Sequence, residues 1–201
     1  MWRITDDFWD KWELLLNMFY RCELWQNHVA QGCYPDCDML PLGWLGKGFG
    51  EERQTNFTKE EQVTMMTLWC IFRSPLMLGA EMPKLDEWTL SLLTNEKVLA
   101  LMGPEYHGVQ VERDDVHAVW ASSKNGEDAV YAALFNFADE EKEVSVKTED
   151  VYAAVSAAVP DSDQELVLEE LWTGEVQQSR GSVISSVVKA HGAKLFCIRR
   201  A

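Results

Sequence analysis

The chain has 201 residues, of which 47% are hydrophobic and nine are tryptophan, enough to build a sizeable buried core. Its formal net charge of −15 disfavours nucleic acid and anionic membrane surfaces as partners, because both would repel it. No stretch approaches the roughly 20 apolar residues of a membrane-spanning helix. The first residues lack the apolar run of a signal peptide, and the five cysteines lack the spacing of a disulfide framework, so the cytoplasm is the default location.

The first hundred residues favour alternating strands and helices. A strand is predicted over residues 2–6. A helix follows from near Asp10 to Glu23 or Trp25, with its apolar residues on one face. The two prolines of "GCYPDCDMLPLG", residues 32–43, leave room for only a short strand at about residues 37–40.

The second helix has an explicit start signal in the sequence. Thr58 and Glu61 have the spacing of a capping box, in which the two side chains satisfy free amides at a helix start, and the helix is expected to run to about Phe72. The preceding segment "GWLGKGFG", residues 43–50, does not match a phosphate-binding loop. We expect it to form a flexible loop over the strand ends.

A third strand and a further helical stretch follow. The strand is predicted at residues 76–78, and the helical stretch begins at Leu85 or Asp86 with Asn95 as a second cap within it. The repeated order of strand and helix predicts parallel strands with helices packed outside them.

After about residue 103 the apolar residues recur with a period of two. Seven short runs are typical of strands: VQVERD, VHAVWASS, DAVYAALFNF, KEVSVKT, ELVLEELW, SVISSVVK and AKLFCIRR. The Asn-Gly pair at residues 125–126 is a strong hairpin signal. The pattern predicts an antiparallel sandwich over residues 106–201, separate from a first domain over residues 1–105. Residues 151–160 are ambiguous between strand and helix.

Charged residues cluster at the end of the first predicted strand. In a strand, Arg3 and Asp7 point to one side, whereas Asp6 points to the other. Asp7 would then lie at the carboxyl end of a parallel strand, where such folds place their chemistry. Asp6 is expected to be a helix cap or solvated, and helix capping is the alternative for both aspartates.

A second acidic pair lies in the second strand region. Asp36 and Asp38 have the alternate spacing of one strand face, and Met39 follows directly; local turn formation is the alternative reading of this pair. Cys33 and Cys37 are four residues apart, but structural zinc needs a second close pair and the sequence has none. No metal and no cofactor are therefore expected.

The remaining isolated residues are given structural roles. His107, His117 and His191 stand alone in strand-rich sequence and are expected at the surface. Trp120 and Trp172 are expected in the core rather than in a ligand site.

Four ordered motifs resemble the C-terminal half of the α-galactosidases of glycoside hydrolase family 27, the melibiase type. They are "MWRITDDFWDKW", "GCYPDCDMLPLG", "FTKEEQVTMMTLWCIFRSPLMLGAEM" and "LDEWTLSLLTNEKVLAL". The resemblance is strong over residues 1 to about 105 and general in the remainder. It implies the last part, about strands 6 to 8, of a (β/α)₈ TIM barrel followed by an antiparallel β-sandwich.

The resemblance also implies a reaction and roles for single residues. The family hydrolyses terminal α-linked galactose of galactosides and oligosaccharides with retention of configuration, using two aspartates. By the motif match, Asp7 is the general acid/base and Arg3 contacts sugar hydroxyls, while Asp38 and Met39 lie in the pocket wall. The neighbouring aromatic residues, Phe8 among them, are expected to favour the protonated acid, although Arg3 opposes this.

The sequence departs from the family pattern in one large respect. Nothing in it matches the family's nucleophile motif, which resembles Y-x-K-x-D-x-C, so the nucleophile is not in this chain. About three strand–helix units cannot close a barrel, which takes about 250 residues, so the chain alone is expected to be inactive and the product of a truncated reading frame or part of a longer one.

Other functions stay open at this stage. They are a non-catalytic carbohydrate-binding or interaction module, a remnant without activity, and the related specificities of α-N-acetylgalactosaminidase and β-L-arabinopyranosidase. Homo-oligomer formation is open as well.

Overall fold

The computed structural model describes residues 1–161, 163–180 and 182–201, apart from the side chains of Phe49 and Arg180. The elements of the first half are β1 (Trp2–Arg3), α1 (Trp12–Trp25), β2 (Pro35–Asp36), β3 (Trp44–Leu45), β4 (Arg53–Gln54), α2 (Lys59–Phe72), α3 (Glu87–Leu93) and α4 (Glu96–Leu99). Those of the second half are β5 (Tyr106–Arg113), β6 (His117–Lys124), β7 (Val130–Asn136), β8 (Lys142–Lys147), α5 (Thr148–Ala154), β9 (Glu165–Glu170), β10 (Val176–Arg180), β11 (Val183–Val188) and β12 (Ala193–Arg200). Within the described residues, no helix is long and apolar enough to cross a bilayer.

The three strand segments predicted in the first half pair in parallel, as predicted, but they are shorter than predicted. β1 pairs with β2 in parallel, and a single parallel bridge joins Leu40 to Leu78. α1 and α2 connect these segments in turn. The strand expected at residues 37–40 pairs instead as β2, two residues earlier, and as the bridge at Leu40.

The predicted helix starts are confirmed. The Thr58 side chain accepts from the Glu61 amide, and the Glu61 carboxylate accepts from the Thr58 amide, at the start of α2. The Asp86 side chain caps α3, and the Asn95 side chain caps α4. These short-range bonds satisfy amides that have no partner within the helix, which is why the sequence alone reveals them.

Of the two roles expected for Asp6, helix cap or solvated residue, the capping role is wrong and the solvated one is confirmed. α1 begins at Trp12, its first flanking residue is Lys11, and no side chain caps it. Asp6 is exposed, well before the helix, so it is solvated instead. The residue buried near the helix start is Asp10, and its partner Arg53 lies far along the chain, where no local pattern points to it.

The glycine-rich segment at residues 43–50 contains a short strand that the sequence did not predict. Within it, β3 pairs antiparallel with β4, and the residues after β3 lie in the loop that connects the two strands. Gly43 and Gly50 have φ angles of 60° and 97°, which favour glycine, so two of its glycines permit the turns of the hairpin.

The second half contains two antiparallel sheets. One has six strands in the order β10-β9-β12-β7-β6-β5, and the other pairs β11 with β8. All seven predicted runs form strands, but β10 was not predicted. Its sequence, VQQSR, is polar at most positions because it lies at the sheet edge, so it lacks the apolar alternation of a half-buried strand. The ambiguous region, residues 151–160, begins within α5 (Thr148–Ala154) and continues beyond its end.

The six-stranded sheet is buried on both faces. Along β7, Tyr131 and Phe135 belong to a core shared with the helices of the first half, whereas Val130 and Leu134 belong to a second core shared with β8, β11 and α5. All seven residues of β7 are buried. The first core is therefore shared by both halves of the chain, and the domain boundary near residue 105 stays a prediction.

His191 is not a free surface residue as expected. Its Nδ1 lies 2.9 Å from Glu61 Oε1 and its Nε2 lies 2.9 Å from Asp139 Oδ1. Its ring stacks on Trp12 with centroids 4.0 Å apart. The imidazole therefore links the helices of the first half to two loops of the second.

The other isolated residues follow the expectation more closely. Trp120 is fully buried, and Trp172 is half-buried against the same core. His107 is exposed, while His117 is half-buried with its Nε2 3.1 Å from Glu112 Oε1.

The end of α2 meets β5 at a close contact. Arg73 follows α2 in the left-handed conformation, with φ 67°, and its buried guanidinium donates to the Tyr106 carbonyl at 2.8 Å. A Cβ atom on Gly108 would lie 1.9 Å from the Ile71 carbonyl oxygen. Only glycine allows the two backbones to approach so closely.

We predict that Gly108→Ala lowers the free energy of unfolding by about 3 kcal/mol, because the added methyl group forces β5 away from α2. Gly48→Ala is the matched control, since a Cβ at Gly48 meets no atom within 4 Å. The control should change stability by less than about 0.5 kcal/mol in urea unfolding. Equal stability of the two variants would contradict the close contact.

Candidate active site

Arg3 brings together the two aspartates that the sequence singled out. Its Nη2 lies 3.0 Å from Asp7 Oδ1 and 2.8 Å from Asp38 Oδ2. Arg3 is the last residue of β1, and Asp7 follows four residues later in the same segment. Asp38 lies in a different segment, directly after β2. The parallel pairing of β1 and β2 is what places these segments side by side.

Asp38 connects four segments of the chain. Its Oδ2 also accepts from the Phe8 amide at 2.7 Å, its own amide donates to Asp36 Oδ1 at 2.8 Å, and its carbonyl accepts from Trp69 Nε1 at 3.3 Å. Its φ is 75°, a left-handed conformation that aspartate tolerates better than most residues. The buried aspartate is therefore fixed by β1, β2 and α2 together.

The two carboxylates differ sharply in solvent exposure. The Asp7 side chain is 71% exposed and the Asp38 side chain 10%. Asp7 lies at an open depression, whose lining residues are Arg3, Thr5, Asp6, Asp7 and Trp9. Asp7 is thus accessible to a ligand, while Asp38 supports the arginine from beneath.

The expected aromatic surroundings of Asp7 are only partly present. Phe8 turns inward, is 1% exposed and packs against Trp69 with ring centroids 5.0 Å apart. Trp2 packs edge-on against Trp25. The Asp7 carboxylate is mostly exposed and lies beside the Arg3 guanidinium, and of the aromatic residues named in the sequence Trp9 lines its depression, so the low polarity expected around Asp7 is present only in part.

Met39 and Asp36 have supporting positions. Met39 is half-buried directly after Asp38, and Asp36 is buried with its carboxylate turned to the Asp38 amide. The structure thus brings Arg3, Asp7, Asp36, Asp38 and Met39 into one region. Asp38 lies beyond the end of β2, and its bond to Asp36 is a local turn, which was the alternative to a shared strand face.

A second buried ion pair anchors the chain next to this site. Asp10 accepts from Arg53 Nη2 at 2.9 Å and from the Asn56 amide at 2.6 Å. Burial raises the pKa of Asp10, but the bonds from Arg53 and from backbone amides outweigh it and lower the pKa below the usual value. This pair fixes the hairpin of β3 and β4 against the segment between β1 and α1.

The cysteines near the site do not form a metal centre among the residues described here. Cys33 is exposed, whereas Cys37 is buried with its Sγ 3.6 Å from Cys22 Sγ. Burial, and then the contact with Cys37, raise the pKa of the Cys22 thiol. Both of these cysteines belong to the hydrophobic core.

Comparison with known proteins gives a family match over the first half of the chain. The family model described as alpha galactosidase A matches residues 1–103. The chain belongs to this family. The match ends close to the start of β5, so it covers the helices and parallel strands that carry the candidate site.

Relatives and solved structures extend the similarity to the second half. Alpha-galactosidase D of Emericella nidulans is 28% identical over 199 residues, which are 96% of this chain and 27% of the relative. Alpha-galactosidase 2 of Arabidopsis thaliana is 23% identical, over 99% of this chain and 46% of the relative. This chain therefore spans about half or less of the curated relatives it matches.

The structure of a family 27 β-L-arabinopyranosidase from Geobacillus stearothermophilus is 42% identical, with a TM-score of 0.89, over 100% of this chain and 45% of that one. Alpha-galactosidase I of Mortierella vinacea matches with a TM-score of 0.82 at 18% identity, over 98% of this chain and 52% of that one, which shows a shared fold. The relatives and solved structures that match this chain carry the names of glycoside hydrolases.

We predict that Asp10→Asn lowers the free energy of unfolding at neutral pH by about 2 kcal/mol. Breaking a fully buried ion pair would lower stability by more than this, but the Arg53 side chain is 32% exposed. Since the folded-state pKa of Asp10 is depressed, its contribution is complete above the unfolded pKa and is lost as the pH falls through the folded pKa. The difference between the two proteins, measured by urea unfolding, should therefore shrink below about pH 4.

The exposed Asp6→Asn serves as the control for the loss of one carboxylate from the same segment. It should leave stability nearly unchanged at every pH. A stability difference for Asp10→Asn that does not depend on pH would contradict an ionised Asp10.

Proposed function

We propose that this chain carries the acid/base half of a retaining glycoside hydrolase that releases terminal, α-linked galactose or a sugar of the same ring configuration. The observation that supports this best is the arginine that joins an exposed aspartate to a buried one. An exposed carboxylate held beside a guanidinium suits a group that exchanges protons with a hydroxyl-rich ligand. A module that only binds sugar has no need of a carboxylate that exchanges protons.

We further propose that residues 1–105 form about strands 6 to 8 of a (β/α)₈ barrel and that residues 106–201 form its C-terminal sandwich. The parallel pairing of β1 with β2, the bridge from Leu40 to Leu78 and the two intervening helices support this arrangement. The candidate residues would then lie at the carboxyl ends of the strands, where barrel enzymes place their active sites.

In the proposed reaction, Asp7 is the general acid/base. It donates a proton to the glycosidic oxygen as the bond to the anomeric carbon breaks, and a second carboxylate forms a covalent bond to that carbon. Asp7 then removes a proton from water, which attacks the same carbon and releases the sugar and the second carboxylate.

Asp38 is poorly suited to be that second carboxylate. Its Oδ2 already accepts from Arg3 and from the Phe8 amide, and its side chain is 10% exposed. We therefore place the nucleophile outside these 201 residues. Arg3 donates to sugar hydroxyls, Asp38 holds Arg3 in place, and Met39 supplies part of the pocket wall.

A second candidate specificity is favoured by the comparisons. The similarity to the Geobacillus β-L-arabinopyranosidase, at 42% identity, exceeds that to alpha-galactosidase D, at 28%. β-L-Arabinopyranose has the ring configuration of α-D-galactopyranose but lacks the hydroxymethyl group at C5. The residues described here contact ring hydroxyls in either sugar, so β-L-arabinopyranosides are the second substrate class.

The proposal is tested in a chimera, because the chain alone lacks a nucleophile and is not expected to turn over substrate. In this chimera, the matched 45% of the Geobacillus enzyme is replaced by the present chain. Hydrolysis of aryl α-D-galactopyranoside and aryl β-L-arabinopyranoside is then compared. A folded chimera that binds either sugar but hydrolyses neither would support the non-catalytic module instead.

We predict that Asp7→Asn in the chimera lowers kcat/KM by about 10²–10⁴-fold for an alkyl glycoside. An activated aryl glycoside should lose far less in bond cleavage, because its leaving group departs without a proton. Asp6→Asn is the matched control and should lower neither rate appreciably. Equal losses for Asp7→Asn on both substrates would contradict the acid role.

A further inference from the structure

A cleft of about 360 Å³ lies away from the candidate active site, between the helices of the first half and the six-stranded sheet. Its walls come from α2, α3 and two strand turns, the one after β9 and the one between β11 and β12. It shares no lining residue with the depression at Asp7. Trp88 on α3 and Trp172 after β9 are its largest side chains.

Both tryptophans are held in fixed orientations. Trp88 Nε1 donates to Gln62 Oε1 at 3.0 Å, and Trp172 Nε1 donates to Thr67 Oγ1 at 2.9 Å. Because these bonds satisfy the indole N–H groups, the rings contribute apolar surface to the cleft at little further cost in conformational entropy. Rigid aromatic walls are suited to the C–H face of a pyranose ring, whose hydrogens meet the negative face of the indole.

Polar groups surround this aromatic surface. Glu60 and Lys189 form an ion pair at 2.8 Å, and Lys59 lies 4.8 Å from the Trp88 ring centroid. Ser91 and Lys194 also line the cleft and offer hydrogen bonds. Because the Ser91 hydroxyl already donates to the Trp88 carbonyl at 2.7 Å, Glu60 and Ser91 are the acceptors and the lysines are the donors, which is the mixture that sugar hydroxyls require.

The charged group deepest in the cleft does not compete for a ligand. Glu170 is 3% exposed, and its two carboxylate oxygens accept from the amides of Thr173 and Leu195. The hydrogen bonds of Glu170 therefore stabilise the turn that follows β9. The cleft is left with an apolar base and a polar rim.

We propose that this cleft binds a neutral pyranose unit of the glycan chain, apart from the sugar that is cleaved. The choice of sugar rests on the proposed function, but the existence of the site does not. The site would hold a polymeric or branched substrate near the enzyme, so the natural substrate would be a glycan chain rather than a free disaccharide.

The test uses the 201-residue chain and the indole N–H signals of its tryptophans in ¹H–¹⁵N spectra. Methyl β-L-arabinopyranoside and methyl α-D-galactopyranoside are titrated to the millimolar range, where single sugars bind proteins weakly. The signals of Trp88 and Trp172 should shift and saturate. A shift confined to Trp9, at the Asp7 depression, would overturn the second site while leaving the proposed function intact.

Two substitutions on α3 separate binding from folding. Ser91→Trp fills the cleft from an exposed position and should abolish the saturable shifts, whereas Leu90→Trp adds the same side chain outside it and should leave them unchanged. Arg3→Ala removes the candidate active-site contact and should also leave them unchanged. Loss of the shifts in Arg3→Ala, or their persistence in Ser91→Trp, would overturn the proposal.

An anionic sugar distinguishes recognition of a neutral pyranose from electrostatic attraction of an anion to the lysines of the cleft. Sodium D-galacturonate should bind no more tightly than the neutral glycosides. If only galacturonate shifts the Trp88 and Trp172 signals, or if no sugar shifts them, the cleft is not a site for a neutral pyranose.

Discussion

The fold depends on one sheet that must bury both of its faces. Every residue of β7 is buried, so each face requires its own apolar layer. β8, β11 and α5 cover one face, and the helices of the first half cover the other. The second layer is what joins the two halves of the chain, because α2 cannot leave the sheet without exposing a core that Trp69 and Phe135 share. The close approach at Gly108 is a local consequence of that packing.

The candidate site is built on this packed layer rather than on a loop. Trp69 lies on the buried helix and donates to the carbonyl of Asp38, and Asp38 in turn holds Arg3 beside Asp7. The side chains in this series become more exposed toward the solvent, from the buried indole of Trp69 to the Asp7 carboxylate, which is 71% exposed. Such an order leaves the outermost group accessible to a ligand, while the groups beneath it keep the arginine in position.

Local signals in the sequence were enough for the helix starts, the strands of the second half and the meeting of Arg3 with Asp7. Thr58 succeeds as a signal because its partner is three residues away. The misses are all non-local: the ion pair of Asp10 spans 43 residues, and β10 is a strand because of its neighbour β9 rather than its own pattern. The left-handed conformation of Asp38 was likewise hidden, since it is accompanied by bonds from Phe8 and Trp69, which lie 30 and 31 residues away in the chain.

The central claim is that Asp7 is the acid/base of a retaining glycosidase, and rescue by azide tests it most directly. In the chimera carrying Asp7→Ala, an activated aryl glycoside still forms the covalent intermediate, but water is no longer activated to resolve it. Azide needs no general base and attacks the anomeric carbon. We expect azide to restore turnover and to yield a glycosyl azide with the anomeric configuration of the substrate, identified by NMR. No rescue, or an azide of inverted configuration, would contradict the account.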